Sequence, residues 1–117
     1  MTTNKLIAIA GPCGAGKTTL AHGLEQAGYR ARAIAQEHSF VPDLWRRFAA
    51  PDLLIFLQAS RAVGAARRRL DWTDAEWQEQ QRRLEHARQH ADLYLDTDDL
   101  GIEQVLERCL VYLQGDR

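Results

Sequence analysis

The 117-residue sequence predicts an α/β fold: a small parallel sheet of about four strands flanked by helices. Two short runs, KLIAIA at Lys5–Ala10 and DLLIFL at Asp52–Leu57, are apolar without alternation, the pattern of strands buried on both faces. Between and after them the apolar positions switch to a helical period. Strands that alternate with helices in this way pack as a parallel sheet in a layered arrangement.

In chain order, the strand Lys5–Ala10 is closed by the glycine-rich segment Gly11–Gly16. A helix then runs from Lys17 through Leu20, Ala21 and Leu24 to Ala27, with Gly28 as its stop. Tyr29–Ala35 reads as a second strand. The mixed stretch Gln36–Pro51 holds room for one short helix after Pro42 and none for a substrate domain. After the strand Asp52–Leu57, the residues Ala62, Val63, Ala66 and Leu70 share one face of a helix over Arg61–Leu70. Thr73 and Glu76 form a capping box that starts a helix over Asp74–His90. Asp92–Asp96 is a fourth strand. Thr97 or Asp98 is expected to cap the last helix, whose apolar positions are Ile102, Val105, Leu106, Cys109, Leu110 and Leu113.

With 45% hydrophobic residues, this length supports one core, so residues 1–117 are read as a single domain. No apolar run reaches membrane-spanning length and no signal-peptide core is recognised, so the expectation is a cytoplasmic protein without a membrane partner. Cys13 and Cys109 lack metal-ligand spacing and read as free thiols. A net charge of −1 gives no field that would gather nucleic acid, and favours a small-molecule site. The only lysines are Lys5 and Lys17; every other basic residue is arginine, whose planar fork suits phosphate. A GC-rich genome explains the same bias.

Gly11-Pro12-Cys13-Gly14-Ala15-Gly16-Lys17-Thr18 satisfies G-x-x-x-x-G-K-[ST] between a predicted strand and a predicted helix. Glycines allow successive amides to point inward at phosphate oxygens, and the helix adds its positive end. Lys17 reaches the β- and γ-phosphates, the Thr18 hydroxyl suits Mg²⁺, and Thr19 is placed for the α-phosphate. Chance matches occur in roughly one in a few hundred chains of this length, so the motif in this context is specific. Cys13 reads either as a loop filler or as an oxidant-sensitive thiol.

With this loop and the order of the later segments, the chain resembles the P-loop NTPases of the small-molecule and nucleoside kinase type, in a shortened form. The resemblance implies a three-layer P-loop fold, ATP with Mg²⁺ as ligands, and transfer of phosphate to a small-molecule acceptor. On that match Arg67, within PDLLIFLQASRAVGAAR, takes the lid position, and Thr97, Asp98 and Asp99 lie near the base. Gln36-Glu37-His38-Ser39 is similar to the acidic-residue-Arg-Ser segment of deoxynucleoside kinases, with His38 in place of arginine. Glu37 is accordingly the candidate base or Mg²⁺ support beside Thr18. Gln58 stands where such kinases often carry aspartate, and no guanine signature follows, so ATP is favoured over GTP.

The catalytic candidates are thus Lys17, Glu37 and Arg67, with Arg68 next. A second reading is a minimal nucleotide-binding or slow ATPase module that signals to a partner, consistent with the brief Gln36–Pro51 region. Glu76, Glu79 and Glu85 alternate with Arg82, Arg83 and Arg88 as on a solvated, paired helix face. His38, His86 and His90 form no metal signature, with His86 and His90 at i, i+4 read as helix surface rather than a zinc site, and Trp45, Trp72 and Trp77 read as packing residues or an oligomer face. A small sheet with open edges leaves room for homo-oligomerisation.

Overall fold

A computed structural model of the chain describes residues 5–47, 50–68 and 72–115. Its centre is a four-stranded, all-parallel sheet in the order β2-β1-β3-β4, formed by β1 (Leu6–Ala10), β2 (Arg30–Ala33), β3 (Leu53–Gln58) and β4 (Leu93–Asp96). The helices are α1 (Lys17–Gln26), α2 (Leu44–Arg47), α3 (Arg61–Arg68), α4 (Asp74–His90) and α5 (Ile102–Gly115).

Successive side chains of a strand point to opposite faces, so β1 and β3 are apolar throughout because each face has its own cover. Ile7, Ile9, Ile55 and Leu57 pack with Leu20 and Leu24 of α1 and Val105 and Cys109 of α5. Ala8, Ala10, Leu54 and Phe56 pack on the other face with Trp45, Leu84 and Ala87. Phe56 is fully buried, stacked on Tyr94 at 5.5 Å between ring centroids, with the Arg88 guanidinium 5.0 Å from its ring. Truncating such a side chain to alanine removes about 3–5 kcal/mol.

Two aspartates repeat one device at the strand starts. Asp52 accepts from the Leu6 amide at 2.7 Å and returns its own amide to the Leu6 carbonyl at 2.8 Å. Asp92 does the same with Leu54, at 2.8 Å in each direction. Each carboxylate therefore satisfies an amide at the start of the neighbouring strand, in keeping with the parallel register.

The expected elements are present with several corrections. Strand β2 is shorter than Tyr29–Ala35, because Gln36–His38 turns into a 3-10 segment. The capping box at Thr73 and Glu76 is formed in both directions, with bonds of 3.1 and 2.8 Å. Thr97 and Asp98 do not cap the last helix, which begins at Ile102. Their side chains are drawn instead toward Arg67 and the Ser60 amide. In α3 the side that turns inward carries Gly64, while Ala62 and Ala66 are exposed. Leu70, the fourth member of that expected face, lies outside the described residues. Ile102 is exposed, so the buried stripe of α5 is narrower than its periodicity suggests. No helix among the described residues is long and apolar enough to cross a membrane.

Candidate functional site

The site is built where β1 ends and α1 begins. Gly11 must be glycine on steric grounds: a Cβ there would stand 2.1 Å from the Leu57 carbonyl oxygen, so the chain leaves β1 pressed against the end of β3. The loop then closes on itself through the Ala15 amide, which donates to the Pro12 carbonyl at 3.2 Å. Gly16 caps α1 with φ 97°, and among the described residues no side chain accepts from the first-turn amides, which also have no acidic neighbour in that turn. These amides and the helix dipole give the terminus a positive partial charge.

Lys17 is folded back across the loop. Its Nζ donates to the Gly11 carbonyl at 2.8 Å, to the Pro12 carbonyl at 3.2 Å and to Glu37 Oε2 at 2.7 Å. Glu37 sits on the 3-10 turn after β2, and β2 reaches the same sheet end because it pairs with β1 in parallel, Ile9 beside Ala33. The pair is enclosed, with the lysine side chain 11% and the glutamate side chain 4% exposed. Glu37 Oε1 is buried without a partner among the described residues, and so is Gln58 Oε1 at the end of β3. His38 lies beside the pair, its Nε2 3.7 Å from Glu37 Oε2.

Arg67 of α3 ties three elements together. It donates to the Gly14 carbonyl at 3.1 Å, to Thr97 Oγ1 at 3.0 Å and to the Thr97 carbonyl at 2.6 Å. The Thr97 hydroxyl in turn donates to the Gln58 carbonyl, 3.1 Å away. Arg67 thus braces the outer wall of the loop. A cleft of about 1010 Å³ runs past this assembly, lined by Cys13 to Thr19, Glu37, His38, Arg67, Thr97 and the Leu100–Ile102 turn. Thr18 and Thr19 are exposed into it. Asp98 is not part of this lining; its carboxylate accepts from the Ser60 amide at 2.8 Å.

No family model matches the chain. No curated protein matches it either.

Several residues of the site carry no motif. Gln80 of α4 is buried and its Oε1 accepts from the Cys13 amide at 3.2 Å, so one loop amide is already engaged by a side chain. Gln36, also buried, donates to the Val41 and Arg83 carbonyls at 2.7 and 3.2 Å and accepts from the Trp45 amide at 2.9 Å. It shapes the turn that presents Glu37. Arg83 reaches the Glu37 carbonyl at 3.4 Å and lies 4.2 Å from the exposed Phe40 ring. The available signal was polarity out of place: Gln80 falls four residues before the core residue Leu84 on the inward stripe of α4.

The remaining candidates are structural. Trp45 Nε1 donates to His86 Nδ1 at 3.0 Å, and His90 stacks on His86 at 4.1 Å between centroids. Trp72 and Trp77 pack on each other at 5.6 Å. On α4, Glu79 pairs with Arg82 and Arg83, and Glu85 with Arg88.

Proposed function

We propose that the chain is a P-loop protein that binds ATP with Mg²⁺ and transfers its terminal phosphate to a small-molecule acceptor. The observation that carries this reading is the Lys17–Glu37 pair, 2.7 Å long, at an uncapped helix terminus facing an open cleft. A lysine and a carboxylate held together there are the two charges that phosphoryl transfer needs beside the transferred group.

In this scheme the amides of Gly14, Gly16, Lys17 and Thr18 take the phosphate oxygens, and Lys17 exchanges Glu37 for the β- and γ-phosphates. That exchange frees the carboxylate to accept the proton of an acceptor hydroxyl. Thr18 and Glu37 are the residues that would hold Mg²⁺, and the unpartnered Glu37 Oε1 fits that use. When bound, the ion neutralises charge on the phosphates. Arg67, bonded to Gly14 and Thr97, would leave those partners to meet the γ-phosphate.

Incubation with labelled ATP, Mg²⁺ and a metabolite panel tests the transfer. Turnover is expected with one acceptor class, and undiminished turnover by Glu37→Gln would remove that residue from the scheme. A second reading, a nucleotide-dependent switch, is favoured by one observation: Trp45, the largest side chain of the acceptor-side segment, is spent on packing against His86. ATP bound tightly, consumed at no acceptor's bidding and driving association with a partner would select it.

A further inference from the structure

We propose that Cys13, Glu37 and His38 form a binding site for a thiophilic divalent cation of the Zn²⁺ class, at the loop end of the cleft. Cys13 Sγ, a Glu37 carboxylate oxygen and a His38 ring nitrogen all lie within 4.8 Å of one another. Ligands on a tetrahedral zinc ion at ~2.0–2.3 Å stand roughly 3.5 Å apart. His38 Nε2 is already 3.7 Å from Glu37 Oε2, and its ring is 60% exposed, so small side-chain rotations close the set.

An independent observation points to a ligand. Glu37 is 97% enclosed, its Oε2 is committed to Lys17, and its Oε1 has no partner among the described residues. A buried carboxylate oxygen left unsatisfied is costly, and a cation there removes the cost. The donor set selects the metal: thiolate and imidazole favour zinc-like ions, whereas Mg²⁺ prefers oxygen and water. Binding replaces the Cys13 S–H bond with a metal–sulfur bond and releases the proton to water, leaving a fourth position open. Cys109 cannot supply the thiolate, since it is fully buried and burial pushes its thiol up to about 12.

Such an ion occupies the Glu37 carboxylate that Mg²⁺ would otherwise use, and holds the loop through Cys13. It therefore opposes nucleotide binding; this consequence rests on the ATP reading, while the ion site does not.

The experiment is a Co²⁺ titration of the full chain without nucleotide, followed by displacement with Zn²⁺. The expected result is a near-ultraviolet thiolate-to-cobalt band with tetrahedral visible bands, saturating at one equivalent. Cys13→Ser should abolish the near-ultraviolet band, and His38→Gln, an exposed substitution, should weaken binding by at least about tenfold. Absence of the thiolate band in the folded chain, or equal affinity in His38→Gln, overturns the site. In a separate arm, ATP affinity is read with and without Zn²⁺. Equal affinity overturns the antagonism, and no ATP binding in metal-free protein overturns the nucleotide reading alone.

Discussion

Gly14 in the loop and Gly64 in α3 meet backbone to backbone: a Cβ on Gly14 would stand 2.7 Å from both the Cα and the carbonyl oxygen of Gly64. A Cβ on Gly64 would stand 2.8 Å from the Cys13 carbonyl oxygen. The helix that carries Arg67 is seated on the loop through this contact, so the two glycines set how far the arginine must reach.

That contact sets two local effects against each other. In a free helix Gly64→Ala would stabilise by up to about 1 kcal/mol. Here the added methyl meets backbone that cannot swing aside, and a net loss of about 1–3 kcal/mol is expected. Urea denaturation decides the sign, and a stabilised variant would show that α3 moves off the loop freely.

The Lys17–Glu37 pair is enclosed, so removing one partner should cost more than removing both. Lys17→Met leaves a buried carboxylate and is expected to destabilise by about 3–5 kcal/mol. Glu37→Gln added to it should recover much of that loss, giving a favourable coupling in a double-mutant cycle. Additive effects in the cycle would mean that the pair opens in solution. Lys17→Met should also weaken Mg²⁺-ATP about tenfold or more, as expected for loss of a charge-assisted contact.

Arg67 holds Gly14 and Thr97 through three donated bonds, from a partly solvated position. Arg67→Ala should cost about 1–2 kcal/mol and speed amide exchange in the loop. Arg67→Lys should restore little, since an ammonium cannot span both partners with a planar fork. Full rescue by lysine would mean that charge alone matters.

His86 titrates below the usual histidine value of 6.5, because burial disfavours its cation and the neighbouring His90 and Arg46 charges add to the effect, against Asp43. Its Nδ1 accepts from Trp45, which also requires that nitrogen to be unprotonated. Its folded-state value is depressed, so the unfolded chain binds the proton first. Stability is complete above about pH 6.5 and falls as the pH drops toward the folded value. Melting temperature and tryptophan fluorescence of the Trp72→Phe/Trp77→Phe background, followed from about pH 7.5 to about pH 5 across the ordinary histidine value, should both report the loss. His86→Gln should flatten this segment; an unchanged slope would place the titration elsewhere.

Much of the fold was legible because its signals are local. The unbroken apolar runs of β1 and β3 reflect cover on both faces, and the Thr73–Glu76 capping box lies within one turn. The failures came where a side chain had a distant partner. Thr97 and Asp98 have the right chemistry for a helix cap, yet Arg67 and the Ser60 amide engage them first. Gln80 carries no motif, and its role follows only from the Cys13 amide that stands against it.

The sequence by itself determined the strand, the glycine-rich turn with Lys17 and Thr18, and the helix that follows, since backbone sterics and spacing act over a few residues. Only the tertiary structure decided what those residues meet. Parallel pairing of β2 with β1 delivers Glu37 to Lys17, β4 beside β3 delivers Thr97 to Arg67, and α4 across the opposite face delivers Gln80 to the loop. Each meeting joins residues 20 to 67 positions apart, a distance over which no local pattern constrains the partner and only packing does.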